Sequence, residues 1–246
     1  MRGEAGVTRK TGEEPYSFDF LEKCVNNALG LYKDALNTST PRKASLMEIA
    51  LEELAKGFVT LVNMPSSSLD HPVNDLIDTL SDDLFDSISG FIETYNIKKF
   101  DIYSHKQKLK IIMGLFNFVS TIYEIYPEQI KGIQQEMLKT DFGELKDVEY
   151  IISIMERFHF KEFNKVKEEG LYVDFIENNV SPEEQTLRII VMKWIFFVLY
   201  SSLNVFIQIY KETQLDKLFS DPKLMFGGFY EYLPENVKKM LKGDGE

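Results

Sequence analysis

The sequence predicts an all-α protein, built as a single helical bundle domain, on two observations. Apolar residues recur at spacings of three and four in long runs, and no alternating Val/Ile/Thr-rich segment of strand length is present. Hydrophobic residues make up 44% and charged residues 27% of the 246 residues, a composition typical of globular proteins. We expect a flexible tail over residues 1–16 and one domain over residues 17–246.

The apolar periodicity predicts six long helices, followed by additional short C-terminal helices. The long helices are expected at about 18–36, 43–62, 74–94, 104–126, 145–168 and 184–213, with shorter helical turns near 128–138 and 216–242. Proline, glycine and serine mark the breaks between them: Thr40-Pro41, Pro65 to Ser68, Pro127, Gly170, Ser181-Pro182 and Gly227-Gly228. None of these breaks separates two independent cores.

Composition excludes several classes of protein. The 39 acidic residues outnumber the 28 basic ones, and the net charge of −11 disfavours nonspecific attraction to a nucleic acid. The single cysteine, Cys24, cannot form an internal disulfide, and the first residues contain no apolar stretch that could act as a signal peptide. We therefore expect a cytoplasmic protein.

The chain lacks the common cofactor and nucleophile motifs. G-x-x-x-x-G-K-[ST], G-x-G-x-x-G and G-x-S-x-G are all missing, which excludes P-loop NTPases, Rossmann dehydrogenases and the usual serine hydrolases. His71 and His159 belong to no metal-ligand spacing such as HExxH. The sequence predicts neither a metal site nor a cofactor.

The predicted third helix is strongly acidic. Seven carboxylates and no Lys or Arg lie between Pro65 and Asn96, and the apolar residues of this stretch form one helical face. The segment is therefore either a surface helix with one solvated side or a detachable docking element for a basic partner.

The predicted helix over 184–213 is almost apolar enough to span a membrane. Residues 189–207 carry one charge, Lys193. The polar residues of the helix form one stripe about 100° wide, and they are Lys193, Ser201, Asn204, Gln208 and Lys211. This pattern favours a central bundle helix that touches water on one side, without membrane insertion, and part of its apolar surface could be the contact of a homodimer.

One carboxylate of the second helix is predicted to point at the core. When the residues are placed at 100° intervals, Glu53 lies inside the apolar cluster around Leu46 and Leu54. Glu48 and Glu52 lie on the flank in line with Lys56, which is the usual pattern of a solvated face. Since an unpaired buried charge costs several kcal/mol, Glu53 is expected to find a donor or to be protonated.

His105 is the second polar residue predicted to point inward. It aligns with Leu109, Ile112 and Phe116, whereas Lys106 takes the opposite face. His105 is either a core histidine with a hydrogen-bond partner or, with Glu53, half of an acid/base pair contributed by two helices. Arg188, at the start of the long apolar helix, could form an interhelical salt bridge, cap a buried carboxylate or meet an anionic ligand.

Three segments of the chain resemble the AbiV family of abortive phage-infection proteins. ALEELAKG at residues 50–57, preceded by Asn27-Ala28-Leu29 through Asp34-Ala35, is similar to that family's LALEELGK helix. HKQKL at 105–109 is similar to an HKxKL helix opening, and GLYVDF at 170–175, followed by VSPEE at 180–184, is similar to a GLYVD segment that ends in SPxE. The order and separation of the segments agree with the family over about residues 26–190.

The resemblance implies an all-helical, HEPN-like protein that takes part in defence against phage and forms a homodimer. It maps the EExxK positions to Glu52, Glu53 and Lys56. It also implies roles for His105 and Lys106, and for the pair Tyr172 and Asp174. Many HEPN relatives are metal-independent ribonucleases with an R-x4-6-H motif, and no arginine stands at that spacing before His105.

Two functions remain open after this comparison. The protein could act by binding a phage or host protein through its helical surface. Alternatively, it could be a ribonuclease toxin that binds RNA, with His105 as general acid/base, Glu53 orienting it, and Lys56 or Lys106 near the scissile phosphate.

Overall fold

The computed structural model describes residues 16–64, 82–104, 107–108, 110–112, 114, 182–211 and 221–242. These residues form helices, helical turns and short connections, and none of them lies in a strand. The predicted all-α class is confirmed. The helices predicted near 128–138 and 145–168 lie outside the described residues.

The first two helices form a closely packed pair. Helix α1 is Phe18–Leu36, and its N-cap Ser17 accepts a 3.2 Å hydrogen bond from the backbone N–H of Phe20. After a turn of three residues, α2 runs over Thr40–Asn63 with a proline in its first turn. Such a short connection makes consecutive helices antiparallel neighbours, and α1 and α2 pack along much of their length.

The acidic segment ends in a helix followed by a compact turn. Helix α3 is Asp82–Thr94, so the predicted helix is present over the described part of its range. Asn96, in the left-handed conformation with φ of 51°, ends it and leads into a 3₁₀ turn at Ile97–Lys99. Ser104 then starts the next helical segment, because its carbonyl accepts the N–H groups of Gln107 and Lys108 at 3.1 and 3.0 Å.

The long apolar helix lies in the middle of the described fold. Helix α4 is Pro182–Lys211, and it packs against α1, α2 and the C-terminal segment. Its stretch Ile189–Lys211 is long and apolar enough to cross a membrane, yet 67% of the most apolar window is buried inside the chain. The helix therefore has the burial expected of the predicted core helix.

Gly57 of α2 allows three helices to meet. A Cβ atom at this position would lie 3.3 Å from Leu21 Cδ1 of α1 and 3.2 Å from Leu203 Cδ1 of α4. Both distances are shorter than comfortable van der Waals contact. A larger residue at position 57 would push α1 or α4 away from α2.

The C-terminal residues complete the core. Helix α5, Pro222–Phe226, leads through Gly227 into a 3₁₀ helix, Gly227–Tyr232, and then into α6, Glu235–Lys242. Phe229 is fully buried, and its ring lies 5.1 Å from that of Tyr32 in α1 and 5.6 Å from that of Phe196 in α4. Aromatic rings from both ends of the chain thus pack in one cluster.

Asn204 of α4 holds this C-terminal segment in place. Its Nδ2 donates to the carbonyls of Leu224 and Met225 at 2.9 and 2.8 Å, which satisfies two carbonyls at the end of α5. The prediction that the polar stripe of α4 faces water is therefore wrong for Asn204, which is buried. A stripe drawn on a helical wheel cannot distinguish water from backbone carbonyls as hydrogen-bond partners.

Candidate functional site

The charged residues of α2 lie at the contact between this helix and the segment around Lys108. Glu48 is 0% exposed and Glu52 is 4% exposed. The prediction that both carboxylates belong to a solvated flank is wrong. Other parts of the chain pack against α2 around most of its circumference. The helical wheel instead assumes one buried side and one solvent-exposed side.

Glu52 forms a buried ion pair with Lys108. Lys108 Nζ lies 2.7 Å from Glu52 Oε2, with the two side chains 10% and 5% exposed. Two charges removed from water in this way must satisfy each other, because the desolvation of either one alone costs several kcal/mol. The pair joins the ALEELAKG helix to the helical segment that begins at Ser104.

Glu53 lies at the edge of the core and not at its centre. Its side chain is 15% exposed and forms an ion pair with Lys56, one turn later on the same helix. The prediction that Glu53 is the inward carboxylate therefore holds only in part, since Glu48 and Glu52 are the more deeply buried pair. Lys56 supplies a donor of the kind that Glu53 is expected to find.

Cys24 of α1 is buried beside these charges. Burial, and next the negative charge of Glu53, raise the pKa of its thiol to about 12, while Lys56 and Lys108 act in the opposite direction. A thiol with such a pKa stays protonated at neutral pH and is a poor nucleophile. Cys24 therefore acts as a small core residue next to the charged cluster of Glu52, Glu53, Lys56 and Lys108.

Ser104 fixes the start of the segment that carries Lys108. Its Oγ accepts a 3.4 Å hydrogen bond from the N–H of Gln107, and Gln107 Oε1 accepts the N–H of Asp101 at 2.6 Å. This arrangement resembles a capping box, except that the side chain at the third position accepts the N–H of Asp101, and not the N–H of Ser104 itself. The ion pair of Lys108 thus follows directly after a well-capped helix start.

Several residues predicted for the site lie outside the described residues: His105, Lys106, Tyr172 and Asp174. The backbone of Arg188 belongs to α4, and its side chain is outside the description. The contact predicted between Glu53 and His105 stays a prediction. Of the predicted site residues, the structure brings together Glu52, Glu53 and Lys56.

Sequence reasoning missed Lys108 as a member of the cluster. Lys108 follows His105 by three residues and so lies within about 60° of the inward face already assigned to that histidine. A lysine so close to an inward face is a candidate partner for a buried carboxylate. Among the residues described, no three His, Cys, Asp or Glu side chains come together as a metal-binding group.

The fold and the cluster define an all-α protein in which two helices are joined by buried charges of opposite sign. The family model described as AbiV, in the HEPN group, matches residues 17–191, well over half of the chain. The chain belongs to this AbiV family, whose role is abortive infection, a form of antiphage defence. No curated protein and no solved structure matches it.

Proposed function

We propose that the protein defends its host by binding a phage or host component, and that the EExxK segment serves to brace two helices. The observation that carries the proposal is the buried ion pair between Lys108 and Glu52. The pair commits two charges of the family-like segments to the interior of the fold. A brace of this kind supports a defined surface without taking part in chemistry.

The second ion pair supports the same proposal. Lys56, suggested as a phosphate-binding cation in a ribonuclease, is paired with Glu53 and is only 20% exposed at its side chain. A cation held by a neighbouring carboxylate has less attraction left for a phosphate. In addition, the R-x4-6-H motif is missing, and lysine lacks the forked, bidentate geometry of arginine.

The competing proposal is a ribonuclease in which His105 is the general acid/base. It shares the antiphage role and differs in the outcome for RNA. The two proposals therefore differ in one measurable outcome. RNA stays intact in infected, protected cells if the protein acts by binding, and it is cleaved if the protein is a ribonuclease.

The test follows RNA and phage titre together. Cells that express the protein are infected, and total RNA is examined by gel electrophoresis and end-mapping while plaque counts measure protection. Binding without cleavage predicts intact RNA at a stage when protection is complete. Purified protein should also leave single-stranded RNA and transfer RNA uncut.

The His105→Asn variant assigns any cleavage that is found. Site-specific cutting by the wild-type protein that disappears in a His105→Asn variant of unchanged melting temperature would replace the binding proposal with the ribonuclease. Lys239→Gln is a control, because Lys239 is exposed in α6 and lies outside the charged cluster of Glu52, Glu53, Lys56 and Lys108. It removes a surface charge without removing the histidine.

A further inference from the structure

We propose, on the basis of the binding function above, that the turn over residues 100–104 is the docking surface for an acidic region of a protein partner, with Tyr103 as its main contact. The turn precedes the helical segment that the ion pair of Lys108 holds against α2. The proposal depends on three properties of the turn: an exposed ring, a fixed backbone and a local excess of lysine.

The exposed ring is that of Tyr103. Among the described residues, the large hydrophobic side chains that are exposed are Tyr103, at 45%, and Tyr210, at 39%. Tyrosine is enriched among the residues that dominate protein–protein binding energy, so the turn displays a suitable anchor.

The backbone of the turn is fixed by hydrogen bonds on both sides. The Asp101 side chain accepts the N–H of Tyr103 at 3.0 Å, and the Asp101 carbonyl accepts the N–H of Ser104 at 2.9 Å. Phe100 and Ile102 are buried, so alternate residues anchor the turn to the core. A turn whose backbone is fixed in this way loses little backbone entropy when a partner binds, which favours affinity.

The sequence around the turn is rich in lysine, although the protein as a whole is acidic. Residues 96–110 contain five lysines and one aspartate, whereas the whole chain has 39 acidic and 28 basic residues. Lys99 and Lys110 are exposed, and Lys108 is the one of the five that is paired with Glu52. Exposed lysines that precede and follow an aromatic anchor along the chain complement an acidic partner and steer its approach.

An acidic protein fits this surface better than RNA does. Binding of a long polyanion depends on many phosphate contacts, whereas the exposed lysines described in this segment are Lys99 and Lys110. Strand-binding proteins also present several aromatic side chains to successive bases, and the turn presents one. A folded partner can instead match one ring and a few lysines over a small area.

The test is a selection for short peptides. A yeast-displayed library of random peptides is panned against the full-length protein, and the most enriched peptide is synthesised and titrated. We expect enriched sequences rich in Asp and Glu, with binding that weakens as salt is added. Tyr103→Ala should weaken the titrated peptide by at least about tenfold.

Control variants keep the test specific. Tyr103→Phe retains the ring and should retain binding, and Tyr210→Ala removes the other exposed tyrosine and should not change it. Lys99→Glu combined with Lys110→Glu should weaken binding by slowing association. Each variant is first compared with the wild-type protein by thermal unfolding.

Three results would overturn the docking surface. These are enrichment of peptides without acidic residues, unchanged binding by a folded Tyr103→Ala variant, and binding of a short oligouridylate that depends on Tyr103. The last result would identify RNA as the ligand. None of them concerns RNA cleavage in infected cells, so failure of this inference and failure of the proposed function are distinguishable.

Discussion

Lys108 Nζ and Glu52 Oε2 lie 2.7 Å apart in the interior, and they connect the helical segment that starts at Ser104 to α2. The two side chains are only 10% and 5% exposed, so water cannot replace the partner of either charge. The complete pair is therefore compatible with a stable fold, whereas loss of either partner leaves an uncompensated buried charge and destabilises the folded state.

Glu52→Gln should therefore lower the free energy of unfolding by about 3 to 5 kcal/mol, because it leaves the Lys108 ammonium buried without its counter-charge. Urea denaturation followed by circular dichroism measures the loss. Replacing both partners, with Glu52→Leu and Lys108→Met, should cost less than the single change. Glu235→Gln is the control, since Glu235 is 80% exposed at its side chain in a pair with Lys238, and its effect should stay below about 1 kcal/mol. Equal effects of the two glutamine variants would mean that Glu52 is not buried in solution.

The raised pKa of Cys24 predicts a loss of stability at high pH. The thiol ionises near 9.0 when unfolded and only near 12 when folded, so the folded state holds more protons between these values. The free energy of unfolding should fall as pH rises above 9.0, by up to about 1.4 kcal/mol per pH unit from this group. The measurement is the pH dependence of urea denaturation, compared between the wild-type protein and Cys24→Ala. Parallel pH profiles of the two proteins would contradict it.

The same burial predicts that the thiol of Cys24 is unreactive in the folded protein. A thiol-reactive disulfide reagent at neutral pH should modify it only after denaturant is added. Rapid modification of the native protein, at the rate of a free thiol, would show that the site opens to solvent. The absorbance of the released thiolate gives the rate directly.

Asn204→Ala should loosen the C-terminal segment. It removes the donors to the carbonyls of Leu224 and Met225, and buried acceptors left without a partner cost about 1 to 3 kcal/mol. Hydrogen exchange followed by mass spectrometry should show faster exchange over residues 221–233 than over α1. Gln208→Ala, one turn further along α4 and half-buried, is the matched control. Uniform acceleration across the protein in both variants would argue against a local role for Asn204.

Gly227→Ala tests the same contact from the opposite side. Gly227 has a φ of 50°, and a Cβ atom there would lie 2.6 Å from Asn204 Oδ1. Strain and collision act together, so the melting temperature should fall. Gly30→Ala, where a Cβ would meet nothing within 4 Å, should stabilise the middle of α1. An unchanged melting temperature for Gly227→Ala would mean that the turn relaxes freely.

Helix positions were predictable because their ends carry local signals. The expected helix over 18–36 matches Phe18–Leu36, and Pro182 begins α4 close to the expected residue 184. Such signals depend on neighbouring residues, so they need no knowledge of the tertiary structure. The predicted homodimer and cytoplasmic location have no local signal of this kind, and they stay predictions.

The partners of polar side chains were less predictable. The helical wheel of α2 predicts a solvated flank for Glu52 because it shows only the residues of that helix. The ion-pair partner, Lys108, lies 56 positions further along the chain. The wheel of α4 predicts a solvent-facing Asn204 for the same reason. Its partners are backbone carbonyls, which no sequence pattern displays. Tertiary partners decide which polar residues can be buried.

The contact between Tyr32 and Phe229 joins residues almost 200 positions apart, and this separation has a consequence for synthesis. Phe229 must emerge from the ribosome before the aromatic cluster can close. Until then, the rings of Tyr32 in α1 and Phe196 in α4 lack their contacts with Phe229. The nascent chain is therefore prone to aggregation and to binding by chaperones. This part of the core can therefore form only late in synthesis, and a chain that stops before Phe229 cannot assemble it.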